Sequence, residues 1–304
     1  MIKNSILALT IFFIWSICSF AQGDKSTLEV VATLFPTYDF ARQIGKDKVN
    51  VSLLLPPGVE SHAFEPKPQD VARINKADIF IYTGKYMEPW AEDMLKGVSS
   101  KNLSVVDSSL GIELKVDDGH DEEDGCHERD PHIWVDLAND QIMVDTIAKA
   151  LAEKDPANSA FYMNNAKEYK MKLDHLDRRF KETLSTAKHK MIIYAGHFAF
   201  GYFAKRYGLE HESPYYGFSP NAEPSPKAIA SLIEKLKKSG IKYIYYEELL
   251  DPKVARTISQ ETGARLELLH GAHNVSKDEL ARGVRFLDIM EDNLKKLKAG
   301  LECQ

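Results

Sequence analysis

The sequence predicts an α/β protein with mostly parallel sheets arranged in two lobes, which one long helix connects. Short β-rich runs alternate with segments of helical apolar spacing along most of the chain, a rhythm typical of parallel sheets covered on both faces. One apolar stripe at helical spacing then continues far longer than the others. With 304 residues, 44% of them hydrophobic, the chain is long enough for two lobes of ordinary domain size.

The first 21 residues are typical of an export signal and are excluded from the predicted fold. Lys3 provides a basic start, an apolar run follows from Ile6 to Cys18, and small residues before and at Ala21 are placed like a signal-peptidase site. No later stretch offers the roughly 20 apolar residues that a spanning helix needs. We therefore expect cleavage near Ala21 and a soluble periplasmic protein. A lipoprotein anchored through Cys18 is the alternative, although the residues before it are bulkier than usual.

The formal net charge of −6 argues against nucleic acid as a partner and is compatible with a cation ligand. Two cysteines remain after cleavage, Cys126 and Cys303. They could form one disulfide in an oxidising compartment, but the sequence does not show that their backbones approach each other. A competing interpretation makes Cys126 a weak auxiliary metal ligand, and we favour cysteines that are unpaired or loosely associated with metal.

The first lobe is predicted to span residues 22–155. Its strands are predicted at 28–34, 49–55, 79–82 and 103–106, with helices at 37–44, 67–77, 90–95 and 142–151. An acidic, histidine-containing loop at 117–129 interrupts the alternation. Such a charge run is usually a solvated loop, although His120, Cys126 and His127 could capture metal loosely and pass it inward.

The connecting helix is predicted at 156–188, where Asp155 and Pro156 suit a helix start. Its length would be about 50 Å at about 1.5 Å per residue, and a coiled-coil partner helix is the alternative interpretation. The second lobe is predicted to span residues 189–304. Its strands are predicted at 191–195, 241–246 and 265–269, with helices at 198–207, after 221–226, at 252–262 and from Ser276 onward.

Four roughly evenly spaced histidines are the candidate functional residues: His62, His132, His197 and His270. Each lies at the carboxyl end of a predicted strand or in the loop that follows, where open α/β sheets place their ligands. Two come from each half of the chain, so a shared site would lie between the lobes. A lone histidine is more often a structural residue than a ligand, and it is the common placement that favours one metal site.

Imidazole nitrogen suits zinc, copper, nickel and iron, whereas manganese, magnesium and calcium prefer shells rich in oxygen. A site of three or four imidazoles therefore indicates zinc first. Because imidazole must be neutral to bind metal, affinity should fall as the pH drops below about 6.5. Wide spacing makes this a weak motif by itself.

Several segments together resemble the solute-binding proteins of bacterial zinc and manganese ABC importers, the ZnuA and TroA type, over essentially the whole mature chain. These segments are residues 56–70, 82–84, 88–92, 130–136, 196–202 and 222–226. The resemblance implies two α/β lobes joined by one long rigid helix. It also implies that His62, His132 and His197 bind the metal and that the charged loop is a zinc-type insert.

The fourth ligand departs from the family pattern, in which a carboxylate usually follows this strand. Residues 261–264 lead here to His270, so we predict His270 as the fourth ligand, with His273 or Glu60 as alternatives. An all-nitrogen shell favours zinc over manganese. The acidic residues Glu223 and Glu247 are expected to support the ligands rather than to bind metal.

The predicted function is capture of zinc, as transported ligand, and its delivery to ABC permease subunits in the inner membrane by a monomeric protein that is not an enzyme. A manganese importer component, a zinc-dependent hydrolase and a metal-binding adhesin are the alternatives. The hydrolase would need an open coordination position and usually an H-E-x-x-H arrangement, which the sequence lacks. ATP binding is not expected, because there is no P-loop motif.

Overall fold

A computed structural model describes residues 27–115, 129–215 and 223–304. The predicted export signal lies outside these residues, as do His120, Cys126 and His127 of the acidic loop. Whether Cys126 and Cys303 pair therefore stays a prediction, and Cys303 forms no disulfide within the described ranges. No helix in the three described ranges is both long and apolar enough to cross a membrane.

The first half of the chain forms a four-stranded parallel sheet in the order β2-β1-β3-β4. The strands are β1 (Leu28–Ala32), β2 (Val49–Leu53), β3 (Ile79–Tyr82) and β4 (Ser104–Asp107), and the helices are α1 (Phe35–Gly45), α2 (Pro68–Asn75), α3 (Ala91–Leu95) and α4 (Leu137–Lys154). Alternate residues of β3 pack on opposite faces: Ile79 and Ile81 belong to the core that contains α1 and α4, whereas Phe80 packs with α2 and α3.

The second half contains two parallel strand pairs, β5 with β6 and β7 with β8, which a parallel bridge between Tyr194 and Tyr245 joins. The strands are β5 (Met191–Ile193), β6 (Glu210–Glu212), β7 (Tyr243–Tyr246) and β8 (Arg265–Leu268), and the helices are α6 (Gly201–Tyr207), α7 (Pro226–Ser239), α8 (Lys253–Thr262), α9 (Lys277–Ala281) and α10 (Phe286–Gly300). The predicted α/β class with parallel sheets is confirmed.

The long helix α5 (Ser159–Ser185) is confirmed as an element but is shorter than the predicted 156–188. Its 27 residues span about 40 Å at about 1.5 Å each. At the amino end, the Asp155 carboxylate accepts hydrogen bonds from the side chains of Asn158 and Tyr162 instead of capping backbone N–H groups, and residues Pro156–Asn158 form a 3-10 turn. At the carboxyl end, the N–H groups of Lys188 and His189 donate to the Leu301 carbonyl.

Three local predictions for the second lobe need correction. The helix predicted at 198–207 begins at Gly201, and β6 was not predicted because its short Glu-His-Glu sequence has no apolar pattern. The single helix predicted from Ser276 is two helices, α9 and α10. Between them Gly283 adopts a φ of +71°, a left-handed conformation that ends a helix.

One continuous buried core runs through both lobes along α5. The α5 residues Tyr162 and Ala166 belong to the same cluster as side chains of α1 and α4, while Phe180 and Leu184 continue it into α6 and α10. Because protein cores are packed at crystal-like density, a helix buried on this stripe over its whole length is a rigid connection. The lobes are therefore held in a fixed relation by packing.

A buried carboxylate fastens α5 to the second lobe. Asp177 accepts two hydrogen bonds of 2.7 Å from the Arg206 guanidinium and one of 2.8 Å from the Tyr207 hydroxyl. Lys181 donates a further one of 2.8 Å. Burial raises the pKa of Asp177, but the hydrogen bonds from Arg206, Lys181 and Tyr207 outweigh it and lower that pKa to about 2.

Asp177→Asn should lower the free energy of unfolding by about 3 kcal/mol, because it leaves the Arg206 guanidinium without its bidentate partner in a largely buried place. Urea unfolding of the metal-free protein at pH 7 would measure this loss. The substitution is isosteric, so a change in packing volume does not contribute.

The matched control is Asp174→Asn on the same helix. Asp174 pairs with Arg178 one turn away, and its side chain is 50% exposed. This change should alter the free energy of unfolding by less than about 0.5 kcal/mol. Equal effects of the two substitutions would contradict the anchoring role of Asp177.

Candidate metal centre

Four loops bring histidines to the edge at which the strands end. His62 lies between β2 and α2, and His132 immediately precedes the 3-10 turn Ile133–Val135 that leads into α4. His197 lies between β5 and α6, and His273 lies between β8 and α9. Because parallel strands all end at the same edge of a sheet, loops from both lobes meet there.

The imidazoles of His62, His132, His197 and His273 form one cluster. Each offers a nitrogen, and the four nitrogens lie within 4.8 Å of one another. The Nε2 atoms of His62 and His132 are 3.1 Å apart. His132, His197 and His273 are buried, whereas His62 is half-buried. Nitrogens bound to one zinc ion at about 2.1 Å in a tetrahedron lie roughly 3.4 Å apart, so small shifts would complete a four-nitrogen shell.

Two of these nitrogens have no partner in the described part of the chain. The Nε2 atoms of His197 and His273 are buried and make no hydrogen bond there. Buried polar atoms are nearly always hydrogen-bonded or bound to an ion, because an unsatisfied one costs about 1–3 kcal/mol. The cluster therefore has the donors, and the unmet need for a partner, that are typical of a transition-metal site.

Carboxylates face three of the four rings from behind, and two of them lie within hydrogen-bonding distance of a ring nitrogen. Asp130 Oδ1 lies 2.8 Å from His132 Nδ1, and Glu248 Oε1 lies 3.0 Å from His273 Nδ1. The His197 N–H donates to Glu247 Oε1 at 3.0 Å, and Glu247 Oε2 lies 3.8 Å from His197 Nδ1. A carboxylate that accepts the Nδ1 proton leaves Nε2 as the free lone pair, which is the tautomer a metal requires.

Burial and the surrounding charges shift the pKa values of the imidazoles in different directions. Burial, followed by repulsion from His273 and His197, lowers the pKa of His62 to about 2, and burial with the same kind of repulsion lowers the pKa of His132 well below its usual range. Burial also acts to lower the pKa of His273. There the hydrogen bond and charge of Glu248, with Glu247 and Glu60, outweigh burial and raise the pKa.

The structure brings together three of the four predicted residues and does not include His270 in the cluster. His273 takes the place predicted for His270. The His270 N–H donates to Asn293 Oδ1, and its Nδ1 accepts from the Ala272 N–H at 2.9 Å. Ala272 has a φ of +59°, so the chain turns sharply after His270 and His273 is the residue that faces the other imidazoles.

Glu60, the other alternative for the fourth position, also lies outside the convergent set. Its carboxylate accepts the backbone N–H groups of His62 and Ala63, at 2.9 and 2.8 Å, and so supports the His62 loop. Of the two expected supporting acids, Glu247 contacts His197, as described above. Glu223 is exposed.

Sequence reasoning missed Glu248, Trp134 and Gly271. Glu248 Oε2 accepts the Gly271 N–H at 2.7 Å, and Trp134 Nε1 donates to the Gly271 carbonyl at 2.7 Å. The Trp134 ring packs against His132 and His273, with centroids 5.4 and 5.2 Å apart. A Cβ on Gly271 would lie 2.7 Å from His273 Nδ1, so the loop needs glycine there. The only sequence signal was that Trp134 and Gly271 lie beside candidate ligands.

Comparison with known proteins identifies the family. The family model of the zinc-uptake complex component A, periplasmic (ZnuA), matches residues 30–300. The chain belongs to this family. The resemblance to ZnuA-type proteins predicted from the sequence is therefore confirmed.

Individual relatives agree with this assignment. The chain is 40% identical to the high-affinity zinc uptake system protein ZnuA of Bacillus subtilis over 290 residues, which cover 92% of this chain and 89% of that protein. It is 35% identical to the zinc-binding lipoprotein AdcA of Streptococcus pneumoniae over 92% of this chain, but spans only 57% of AdcA. The crystal structure of the Zn(II)-bound ZnuA-like domain of that AdcA superposes with a TM-score of 0.77 at 34% identity, covering 91% of this chain and 100% of the domain.

Glu248→Gln should weaken metal binding about 10- to 100-fold, because it removes the charge that orients His273 and holds the Gly271 N–H. Affinity for Zn²⁺ would be measured by competition with a chelator of known strength. Glutamine keeps the size of the side chain, so a loss reports on the carboxylate itself.

Glu261→Gln is the control, since Glu261 is an exposed residue of α8. It should leave the affinity within about twofold, as expected for a surface charge far from the site. If Glu248→Gln behaved in the same way, His273 would not depend on its carboxylate.

Proposed function

We propose that this protein is an exported high-affinity zinc-binding protein that captures the ion between its two lobes and delivers it to an ABC-type membrane importer. The observation that carries the proposal is the convergence of four imidazoles, two of which have buried nitrogens without a partner in the described residues. We assign His62, His132, His197 and His273 as the zinc ligands. The relatives named for zinc uptake and zinc binding support zinc as the ion.

The donor set supports zinc rather than manganese. Manganese prefers carboxylate, carbonyl and water oxygens, whereas four neutral imidazoles suit the borderline zinc ion. The carboxylates of Asp130, Glu247 and Glu248 face the Nδ1 side of the rings, behind the nitrogens that would bind metal. A manganese ion at this centre would therefore gain no oxygen ligand from them without rearrangement.

The same geometry argues against a hydrolase. A catalytic zinc site keeps one coordination position open for water, while four protein ligands complete a tetrahedral shell. Asp130 and Glu248 are engaged with imidazole Nδ1 atoms and Glu247 with the His197 N–H, so none of these three is placed as a general base beside an open position. We therefore propose that the protein binds and releases its ion without covalent chemistry.

The family assignment supports a proposal for the partners and the location. We propose that the mature chain begins near residue 22 and acts outside the cytoplasm as a monomer, with lobes 22–155 and 189–304, and that it contacts permease subunits in the inner membrane. The family's description as periplasmic supports this location. The proposed route is an export signal at 1–21 that is cleaved near Ala21, and a lipid anchor at Cys18 is the alternative.

His273→Ala should weaken zinc binding at least about 100-fold, because it removes a ligand, whereas His270→Ala should weaken it less than about tenfold through loss of the Ala272 contact alone. Isothermal titration of the metal-free mature protein with zinc, and separately with manganese, would measure both. Wild-type protein should bind one zinc ion and bind manganese more weakly. A stronger effect of His270→Ala, or a preference for manganese, would refute the assigned shell.

Zinc affinity should fall as the pH falls, and His273 sets where the fall begins. His62 and His132 have lowered pKa values and remain neutral, so they bind no competing protons near neutrality. His273 has a raised pKa and takes up a proton as the pH falls through that value. Below that pKa, this proton should reduce affinity about tenfold per pH unit.

Titrations with zinc in buffers set at several pH values between about 8 and 5.5 would measure how steeply affinity falls with pH. In Glu248→Gln the pH at which affinity begins to fall should move lower, because the carboxylate that raises the His273 pKa is gone. An affinity independent of pH over this range would contradict a shell of imidazoles.

A further inference from the structure

His62 differs from the other three members of the cluster. It is half-buried where the others are buried, and within the described residues its ring makes no contact with an orienting carboxylate. Its loop connects β2 to α2 and contains no regular secondary structure between Leu53 and Pro68. Among the four ligands, His62 is therefore the one whose position depends most on how its loop is held.

The His62 loop is bound to the other lobe by the residues that directly follow His273. The Asn274 side-chain amide donates to the carbonyls of Pro56 and Val59, at 2.7 and 2.9 Å. The Gly58 N–H donates to the Val275 carbonyl at 2.8 Å. One end of the loop is thus attached to the His273 segment at three points within four residues.

The Asn274 side chain is held in the orientation that these bonds require. It is fully buried, and its Oδ1 accepts the Val275 N–H at 2.9 Å, which orients the amide so that both Nδ2 protons face the His62 loop. A buried amide of this kind uses each of its groups, and no apolar residue of similar size could replace these bonds. The contact also crosses between the lobes, since residues 56–59 and 274–275 lie on either side of α5.

We propose that Asn274 is a positioning residue that latches the His62 loop to the second lobe and so sets the rate at which bound zinc leaves. The proposal rests on the proposed function, zinc binding by the four imidazoles. The rings of His132 and His273 are held at Nδ1 by Asp130 and Glu248, and His197 is buried, whereas His62 is half-buried and has no ring contact of this kind. Release therefore begins with the movement of His62. Opening the loop breaks the Asn274 and Gly58 bonds, while the lobes remain fixed along α5.

The test is Asn274→Leu, which keeps the approximate volume and removes the donors. Zinc would be chased from the loaded protein with excess chelator and its association followed by stopped flow. The dissociation rate should rise at least about tenfold with the association rate within about threefold, because the variant changes how the loop is held and not the ligands. Hydrogen exchange should become faster for the amides of residues 58–63 and remain unchanged in α4.

Asn293→Leu is the matched control. Asn293 is also buried and also makes two bonds to a site loop, donating to the His270 carbonyl at 2.8 Å and accepting the His270 N–H at 3.0 Å, but neither reaches the His62 loop. Its removal should leave exchange at residues 58–63 unchanged. Faster exchange there in both variants would mean general loosening and would overturn the specific role of Asn274.

Gly58→Ala tests the latch a second time if Asn274→Leu folds poorly. Gly58 has a φ of +85° and no atom within 4 Å of an added Cβ, so alanine strains only the backbone of this turn. It should also speed zinc release and exchange at residues 58–63. Unchanged release and exchange in both variants, with zinc still bound by the wild type, would overturn the latch alone. Absence of zinc binding by the wild type would overturn the proposed function, and exchange in the metal-free protein would still decide the latch.

Discussion

The structure depends on one constraint: four imidazoles from loops that are distant in sequence must meet within 4.8 Å. Two of these loops belong to each lobe, so the site exists only if the lobes keep one relative position. The shared core along α5 supplies that rigidity, and the Asp177 contacts with Arg206 and Tyr207 fasten α5 to the second lobe. A flexible hinge would allow the lobes many relative positions. Binding would then cost more entropy, because it would have to select one of them.

Burying imidazoles beside one another has a cost that the surrounding carboxylates partly offset. Glu247 and Glu248 directly follow β7. Glu247 accepts the His197 N–H, Glu248 contacts His273 Nδ1, and Asp130 contacts His132 Nδ1. These acids favour the tautomer whose Nε2 lone pair faces inward, and their negative charge favours a bound cation. The same arrangement leaves Nε2 atoms without a hydrogen bond in the described structure, so a bound metal ion would satisfy the most costly groups of the site.

Contacts between the lobes add a second layer of order around the centre. The Tyr202 hydroxyl of α6 donates to the Asp130 carbonyl, and Trp134 of the first lobe donates to the Gly271 carbonyl of the second. The segments that carry His132 and His273 are thereby tied across the cleft. The His62 loop is tied by Asn274 instead, and its imidazole remains half-buried. The segments of His132 and His273 are thus held directly across the lobes, whereas, of these three contacts, only that of Asn274 holds the His62 segment.

The sequence by itself determined the α/β class, the long helix and the placement of candidate histidines after strands. These features arise from local patterns: β-branched runs, helical apolar spacing and residues that end helices, each of which acts over a few neighbours. Motif resemblance added the family, and the comparisons agree with it. The predicted start of α5 was wrong because the Asp155 carboxylate bonds to the Tyr162 side chain instead of capping the helix. The division between α9 and α10 was missed because the left-handed conformation of Gly283 is not visible in the apolar pattern.

Only the tertiary structure decided which of His270 and His273 lies in the imidazole cluster. Both follow β8 within a few residues, and nothing in their local sequence distinguishes them. The choice depends on a left-handed Ala272, on Asn293 holding the His270 backbone, and on Glu248 holding Gly271 and His273. Asn293 and Glu248 lie more than 20 residues away in the chain, at separations of 23 and 25 for these bonds. The turn that faces one imidazole toward the other three is therefore a product of packing between distant segments.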